Sequence, residues 1–131
     1  MAWEVCFYQT TRGDSPIEEF LNDLPLKAKA KCVAYLEQLE EHGFGLPRSL
    51  IAKVRGNIWE LRPEWGGEEY RFFYVATVGR RFVVLHSIKK KSQKVKEKDI
   101  KLAQARYADV VKRWHDETAP PVRSRREQKE P

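Results

Sequence analysis

The chain has 131 residues, of which 41% are hydrophobic, 11% aromatic and 34% charged, so it is long and apolar enough to form one packed domain. It has no apolar stretch near the roughly 20 residues that span a bilayer. Its two cysteines show neither a Cys-x-x-Cys spacing nor a nearby pair of histidines. These features argue against a membrane protein, a zinc site and a disulfide framework, and we expect a cytoplasmic location.

Charge is distributed unevenly along the chain, whose net charge is +6. Residues 1–50 contain five Lys or Arg against eight Asp or Glu, whereas residues 51–131 contain twenty against eleven. A basic half on a small domain favours binding to a polyanion, most often a nucleic acid, although surface lysines taken singly usually serve solubility.

The N-terminal region predicts a strand followed by a short helix. β-forming residues alternate with period two over residues 3–10. Ser15, Pro16 and Glu18 form a typical helix start, with Ser15 as the capping residue. Pro25 ends this first helix.

A second helix is predicted over residues 26–41, with Gly43 as its C-terminal cap. The apolar spacing predicts a buried stripe formed by Ala30, Val33, Leu36 and Leu39. Because the connection to the first helix is short, we expect the two helices to form an antiparallel hairpin.

Three further strands are predicted over residues 58–62, 70–76 and 82–88, joined by short turns as an antiparallel meander. A third helix begins within the lysine-dense residues 89–101. Its apolar stripe consists of Ile100, Ala103, Tyr107, Val110 and Trp114.

Residues 115–131 lose apolar periodicity, so we expect a disordered, charged and dispensable tail after a single domain at residues 1–114. The predicted element order is β-α-α-β-β-β-α. This order indicates an α+β fold, in which the helical hairpin packs on one face of a mostly antiparallel sheet.

Three segments of this pattern resemble a known toxin family. They are Leu61-Arg62, residues 70–74 (Tyr-Arg-Phe-Phe-Tyr) and residues 85–94 (Leu-His-Ser-Ile-Lys-Lys-Lys-Ser-Gln-Lys). In this order they resemble the RelE/ParE toxin superfamily, and most of all its phage-derived HigB-like branch. The resemblance covers residues 3–114.

The resemblance implies a RelE-like fold and the toxin of a type II toxin–antitoxin system. RelE- and HigB-like toxins cut mRNA on the ribosome, and an antitoxin neutralises them, in the HigB-like branch commonly a helix-turn-helix protein. ParE-like members share the fold but inhibit DNA gyrase and are not nucleases. A plain RNA-binding module is a third interpretation of the same basic face.

RNA cleavage by its own 2′-OH needs a base, an acid and cations around the phosphorus, but neither a metal nor another cofactor. The acidic residues of the basic half are scattered among lysines, which argues against a two-metal nuclease. We therefore expect an endoribonuclease without a cofactor.

Arg62 and Arg71, on neighbouring predicted strands, are the first candidates for catalysis, because a guanidinium fork grips two phosphate oxygens. The resemblance places Arg71 where RelE-like nucleases have the arginine that contacts the scissile phosphate. The alternative is that both arginines form ordinary ion pairs with Glu60, Glu64 or Glu68.

The lysine run at the end of the last meander strand is the second candidate. Lys89 and Lys94 are predicted to bind RNA phosphates. Lys90 and Lys91 are predicted catalytic residues, because the resemblance aligns Lys91 with a basic catalytic residue. A charge run is otherwise usually a solvated face.

The remaining candidates are His86, on the last predicted meander strand, and two basic residues, Lys53 and Arg55, that precede the first one. His86 is a possible general acid or base, although a single strand histidine is more often a core residue. Lys53 and Arg55 are expected to extend the basic face along RNA. The sequence departs from RelE at residues 58–60 (Ile-Trp-Glu), where RelE has lysines that act in acid/base chemistry. The sequence therefore does not identify the groups that transfer protons.

Overall fold

The computed structural model describes residues 3–91, 94–116 and 120–127, and these contain seven strands and three α-helices. The strands are β1 (Glu4–Tyr8), β2 (Ile51–Arg55), β3 (Ile58–Leu61), β4 (Glu64–Trp65), β5 (Glu68–Thr77), β6 (Arg81–Lys90) and β7 (Val122–Ser124). The helices are α1 (Pro16–Asn22), α2 (Leu26–His42) and α3 (Glu97–Asp116).

All strands belong to one sheet with the order β2-β3-β5-β6-β1-β7, and the short β4 pairs with β5. β1 runs parallel to β6, whereas the other paired strands are antiparallel. Three helices and a mostly antiparallel sheet confirm the predicted α+β class and are compatible with a RelE-like fold. No helix within the described ranges is long and apolar enough to cross a membrane.

α1 and α2 cover one face of the sheet. Ser15 caps α1 as predicted, since its hydroxyl accepts a hydrogen bond from the backbone N–H of Glu18 (3.3 Å). Phe20 of α1 packs edge-on against Tyr70 and Phe72 of β5, at centroid distances of 6.4 and 5.8 Å. The predicted helical hairpin on one face is therefore confirmed.

The buried stripe of α2 differs from the predicted one. It is formed by Ala28, Cys32, Leu36 and Leu39. Ala30 is exposed and Val33 only half-buried, because Cys32 takes an apolar position that a small buried thiol fills well. Gly43 ends α2 with a φ of 55°, a conformation that favours glycine and agrees with the predicted cap.

α3 packs on the opposite face, which we call the α3 face. Successive strand residues alternate in direction, so Phe73 points away from the hairpin. It stacks on His86 of β6 at a centroid distance of 5.9 Å, and Nε2 of His86 lies 2.9 Å from Oδ1 of Asp99 in the first turn of α3. From the predicted stripe, Ile100, Ala103 and Val110 are buried, whereas Tyr107 and Trp114 are partly buried.

β2 and β4 lie outside the strands that the sequence predicts. β2 pairs with β3 through a tight turn at Gly56, whose φ is 55°. The side chain of Ile51 is buried opposite Leu61, and those of Lys53 and Arg55 are exposed. This single apolar position is too weak a signal for a strand without its partner.

Where the sequence predicts a disordered tail from residue 115, the described residues contain the end of α3 and a further strand. α3 continues to Asp116, and β7 pairs antiparallel with β1 at the edge of the sheet. The backbone N–H of Gln9 donates to the carbonyl of Pro121 (2.8 Å), and that of Arg125 to the carbonyl of Val5 (3.0 Å). Ladder hydrogen bonds and ion pairs to Glu18 and Glu40 fix the segment, together with the packing of Val122, so local periodicity does not reveal it. Residues 117–119 and 128–131 of the predicted tail lie outside the described residues.

Candidate nucleic-acid interface

Rows of opposed side chains cross the α3 face where β3, β5 and β6 lie side by side. The register aligns Glu60 with Phe73 and His86, Arg71 with Ile88, and Glu69 with Lys90. Because opposed residues of antiparallel strands share a face, charged side chains from three strands meet at one end of this surface.

Arg71 belongs to one of these rows, opposite Ile88, but it is almost fully buried, with 1% of its surface exposed. Its Nη1 donates to the carbonyl of Tyr70 (2.8 Å), and its Nη2 donates to Oε1 of Glu69 (2.9 Å). Its Nε lies 3.6 Å from Oε1 of Glu60, which is an ion-pair distance but too long for a hydrogen bond. The guanidinium is therefore held between two carboxylates.

Glu60 joins the two predicted catalytic arginines. Its Oε1 lies 3.6 Å from Nε of Arg71 and 3.7 Å from Nε of Arg62, whose side chain is 35% exposed. Arg62 follows β3, and its backbone N–H is bound to the carbonyl of Leu50 (2.9 Å). The structure thus brings Arg62 and Arg71 together around one buried carboxylate, and Arg62 is the more accessible of the two.

Glu69 lies on the solvent side of this pair. The hydrogen bond from Arg71, with the charges of Arg71, Lys90 and Arg62, outweighs desolvation and holds the pKa of Glu69 below its usual range. Its side chain is nonetheless 46% exposed. Three cations from three positions of the sheet therefore act on one solvent-accessible carboxylate.

An open depression of about 340 Å³ lies at the end of β6 and the beginning of α3. Six lysines and a single carboxylate line it, together with Ile88 and Val95. The lysines are Lys89, Lys90, Lys91, Lys94, Lys96 and Lys98, and the carboxylate is Asp99. We call this site the lysine depression. Because Asp99 binds His86, the depression has a strong surplus of positive charge.

His86 lies deeper, between Phe73 and α3. Its side chain is 15% exposed. Burial lowers its pKa, as does the charge of Arg106, whereas the hydrogen bond to Asp99 opposes that shift. Burial therefore disfavours the protonated form of His86, and the carboxylate of Asp99 fixes its ring.

Three of the residues predicted to bind RNA either form ion pairs or lie on the other face of the sheet. Arg55 forms a two-pronged ion pair with Glu97 of α3 (2.5 and 2.9 Å). Lys53 opposes Trp59 and so lies on the hairpin face, away from Arg71. Lys89 lines the depression but pairs with Glu68 (3.2 Å). The structure therefore brings Arg62 and Arg71 close to Lys90, which lines the lysine depression. Lys53 lies apart from them.

Sequence reasoning missed two carboxylates of this site. Glu69 precedes Arg71 by two residues, and this spacing on a strand puts both side chains on one face, so the pair was detectable. Asp99 was not, because its contact with His86 depends on how α3 crosses the sheet.

The α+β architecture and the cationic end of the α3 face define a small domain of the RelE type. The profile of a family described as "Phage derived protein Gp49-like (DUF891)" matches residues 19–108, which is more than half of the chain. The chain belongs to this Gp49-like family, a family of toxins of toxin–antitoxin systems, and membership implies an antitoxin partner. A search of curated proteins gives no match. The finer assignment to the HigB-like branch stays a prediction.

Proposed function

We propose that this toxin is a ribosome-dependent endoribonuclease that cuts mRNA without a metal. The observation that carries the proposal is the lysine depression, where six lysines face one carboxylate beside Arg62 and Arg71. A surface that only keeps a protein soluble has no need to converge cations on a concave site. A backbone of RNA phosphates is the polyanion that such a site fits.

In the proposed reaction the 2′-OH of one nucleotide attacks the adjacent phosphorus. The 2′-oxygen–phosphorus bond forms, the bond to the 5′-oxygen of the next nucleotide breaks, and the products are a cyclic phosphate and a free 5′-hydroxyl. One proton leaves the attacking hydroxyl and one reaches the leaving oxygen. No oxidant, reductant or metal enters this balance.

The cations have separate roles in this proposal. Lys90, Lys91 and Lys94 hold the RNA backbone in the depression. Arg62 and Arg71 stabilise the negative charge that grows on the phosphoryl oxygens in the transition state. His86 is the proposed group for proton transfer, because a neutral imidazole near pH 7 can accept a proton.

The proposal is tested by primer extension on mRNA after induced expression of the toxin. We expect discrete cuts within translated reading frames for the wild-type protein, and we expect these cuts to weaken strongly for Lys90→Ala with Lys91→Ala. For RNA binding by the purified proteins, the slope of log K against log salt should fall by about 0.7 for each lysine that contacts a phosphate.

The matched control is Lys27→Ala with Lys112→Ala, which removes the same charge from exposed lysines of α2 and α3 outside the depression. The control should keep both the cuts and the salt dependence. Intact message combined with DNA damage would contradict the proposal and support a gyrase-directed toxin. Co-expression of the cognate antitoxin, which we expect to be a helix-turn-helix protein, should protect the message.

A further inference from the structure

The solvent-facing contact of Arg71 is a carboxylate from its own strand. Its other two contacts, the carbonyl of Tyr70 and the buried Glu60, belong to the interior of the sheet. Of the two carboxylates that contact this guanidinium, Glu69 is the more exposed, at 46% against 12% for Glu60. The Nη2 hydrogen bond of Arg71 is thus made to a side chain that lies at the surface.

The position of the Glu69 carboxylate is where the cationic groups converge. The Glu69 carboxylate accepts a hydrogen bond from Arg71 (2.9 Å), and Glu69 on β5 pairs directly with Lys90 on β6. The charge of Arg62 acts on it as well. A carboxylate and a phosphodiester offer the same pair of oxygens to a guanidinium, so a group of either kind fits this point.

We propose that Glu69 occupies the seat of an RNA phosphate, and that the phosphate binds Arg71 only when the Glu69 carboxylate turns away. This inference rests on the proposed function, because it takes RNA as the ligand of the α3 face. In the free protein Glu69 balances the charge of Arg71. On binding, the lysine depression draws the RNA backbone in, and one phosphate oxygen replaces Oε1 of Glu69 at the guanidinium.

Two consequences follow from this exchange. First, part of the attraction between RNA and the site is used to displace Glu69, so the wild-type affinity is lower than the cations alone allow. Second, removal of the Glu69 charge should strengthen RNA binding by more than the loss of an ordinary surface charge does. The second consequence is measurable and separates this contact from general electrostatics.

The test compares Glu69→Gln with Glu68→Gln by measuring the affinity of each purified protein for a short single-stranded RNA by fluorescence anisotropy at low salt. Glu68 is a close match, since it is the neighbouring residue, is also 46% exposed and pairs with another lysine of the depression, Lys89. Both variants remove one negative charge, but of the two residues Glu69 is the one that contacts Arg71. We expect Glu69→Gln to bind RNA on the order of tenfold more tightly, and Glu68→Gln within about twofold of wild type.

A second comparison tests whether the gain runs through Arg71. In an Arg71→Lys background, Glu69→Gln should give a much smaller gain, because a lysine lacks the fork that the phosphate takes over. Circular dichroism of each variant verifies the fold. A gain of the same size in both backgrounds would overturn the assigned seat.

The outcomes separate this inference from the proposed cleavage. Equal affinities for Glu69→Gln and Glu68→Gln, with message still cut in cells, overturn the inference and leave the function standing. A specific gain for Glu69→Gln, with message intact in cells, supports the phosphate seat and overturns the cleavage. Absence of RNA binding by all the variants overturns both.

Discussion

Two regions of this molecule contain arginine–carboxylate pairs that have different roles. In the C-terminal segment, residues 120–127, Arg125 lies 2.5 Å from Oε1 of Glu40, and their side chains are 11% and 6% exposed. At the cationic end of the α3 face, Arg71 pairs with Glu69, which is 46% exposed. The first carboxylate is buried, whereas the second lies at the surface.

The difference shows how environment decides what such a pair does. Glu40 also accepts a hydrogen bond from the backbone N–H of Val5 (3.0 Å), so it links α2, β1 and the C-terminal segment. A pair of this kind fixes structure, since breaking it leaves a buried charge. At the α3 face, Glu69 opposes Lys90 of the lysine depression, and in the proposed phosphate seat a second anion competes for the arginine.

The largest effect that we expect is on stability, from Arg125→Ala. This substitution leaves Glu40 buried with one partner fewer and should lower the free energy of unfolding by about 3–5 kcal/mol. Urea unfolding followed by circular dichroism measures it. The result would also show that the C-terminal segment is not dispensable, against the expectation from composition.

Arg126→Ala sharpens this comparison. Arg126 reaches the same Oε1 of Glu40 at 3.1 Å, but its side chain is 69% exposed. Solvent screens such a contact, so its loss should cost less than about 1 kcal/mol. Equal losses for Arg125→Ala and Arg126→Ala would contradict the view that burial of the pair makes it structural.

The next largest effect is on catalysis, from Arg71→Ala. If Arg71 stabilises the transition state, cleavage of ribosome-bound mRNA should fall by about 10²–10³-fold. The same change also leaves the buried Glu60 with Arg62 as its remaining guanidinium partner, so a lower stability is expected as well.

Arg71→Lys separates these two losses. A lysine keeps a positive charge beside Glu60 and should preserve the fold, but a point charge cannot replace the planar fork, so cleavage should still fall at least about tenfold. Full cleavage by a folded Arg71→Lys protein would show that Arg71, like Arg125, is only structural.

Most of the fold could be predicted from local sequence patterns. Ser15 and Pro16 mark the start of α1, Gly43 marks the end of α2, and the period-two runs give the three meander strands. β7 could not be predicted, because its three residues are held by hydrogen bonds to β1 rather than by a pattern of their own. Contacts between distant parts of a chain leave little trace in local periodicity.

The cations of the candidate site could be predicted from the sequence, as could the placement of Glu69 and Arg71 on one face, but the contact of Asp99 with His86 could not. The lysine run and the two arginines stand out by type and spacing. That Arg71 is 1% exposed could not be foreseen, because it depends on three strands closing around its guanidinium. Likewise, the sequence spacing of Lys53 and Arg55 does not reveal the irregularity in β2 between them. Nor does it reveal that Arg55 forms an ion pair with Glu97 on α3.

The smallest effect that we expect is a difference in how acid weakens the two regions. Burial by itself would raise the pKa of Glu40, but hydrogen bonds from Arg125 and from Val5, with the charges of Arg125 and Arg126, hold that pKa below its usual value. A lowered carboxyl pKa contributes stability above the pKa of the unfolded chain, about 4.3. This contribution is lost as the pH falls through the folded-state value.

Urea unfolding between about pH 6 and pH 3 measures this contribution as the slope of unfolding free energy against pH. Glu40→Gln should be less stable than wild type at neutral pH and should show a shallower acid slope, because the substituted group no longer takes up a proton.

Glu69→Gln is the matched control, since the pKa of Glu69 is lowered too, chiefly by the hydrogen bond from Arg71. The Glu69 carboxylate is 46% exposed, so high salt should weaken its contribution to the slope. The contribution of Glu40 should persist in salt because its side chain is only 6% exposed. Equal salt sensitivity of the two contributions would mean that the buried and the exposed pair do not differ in kind.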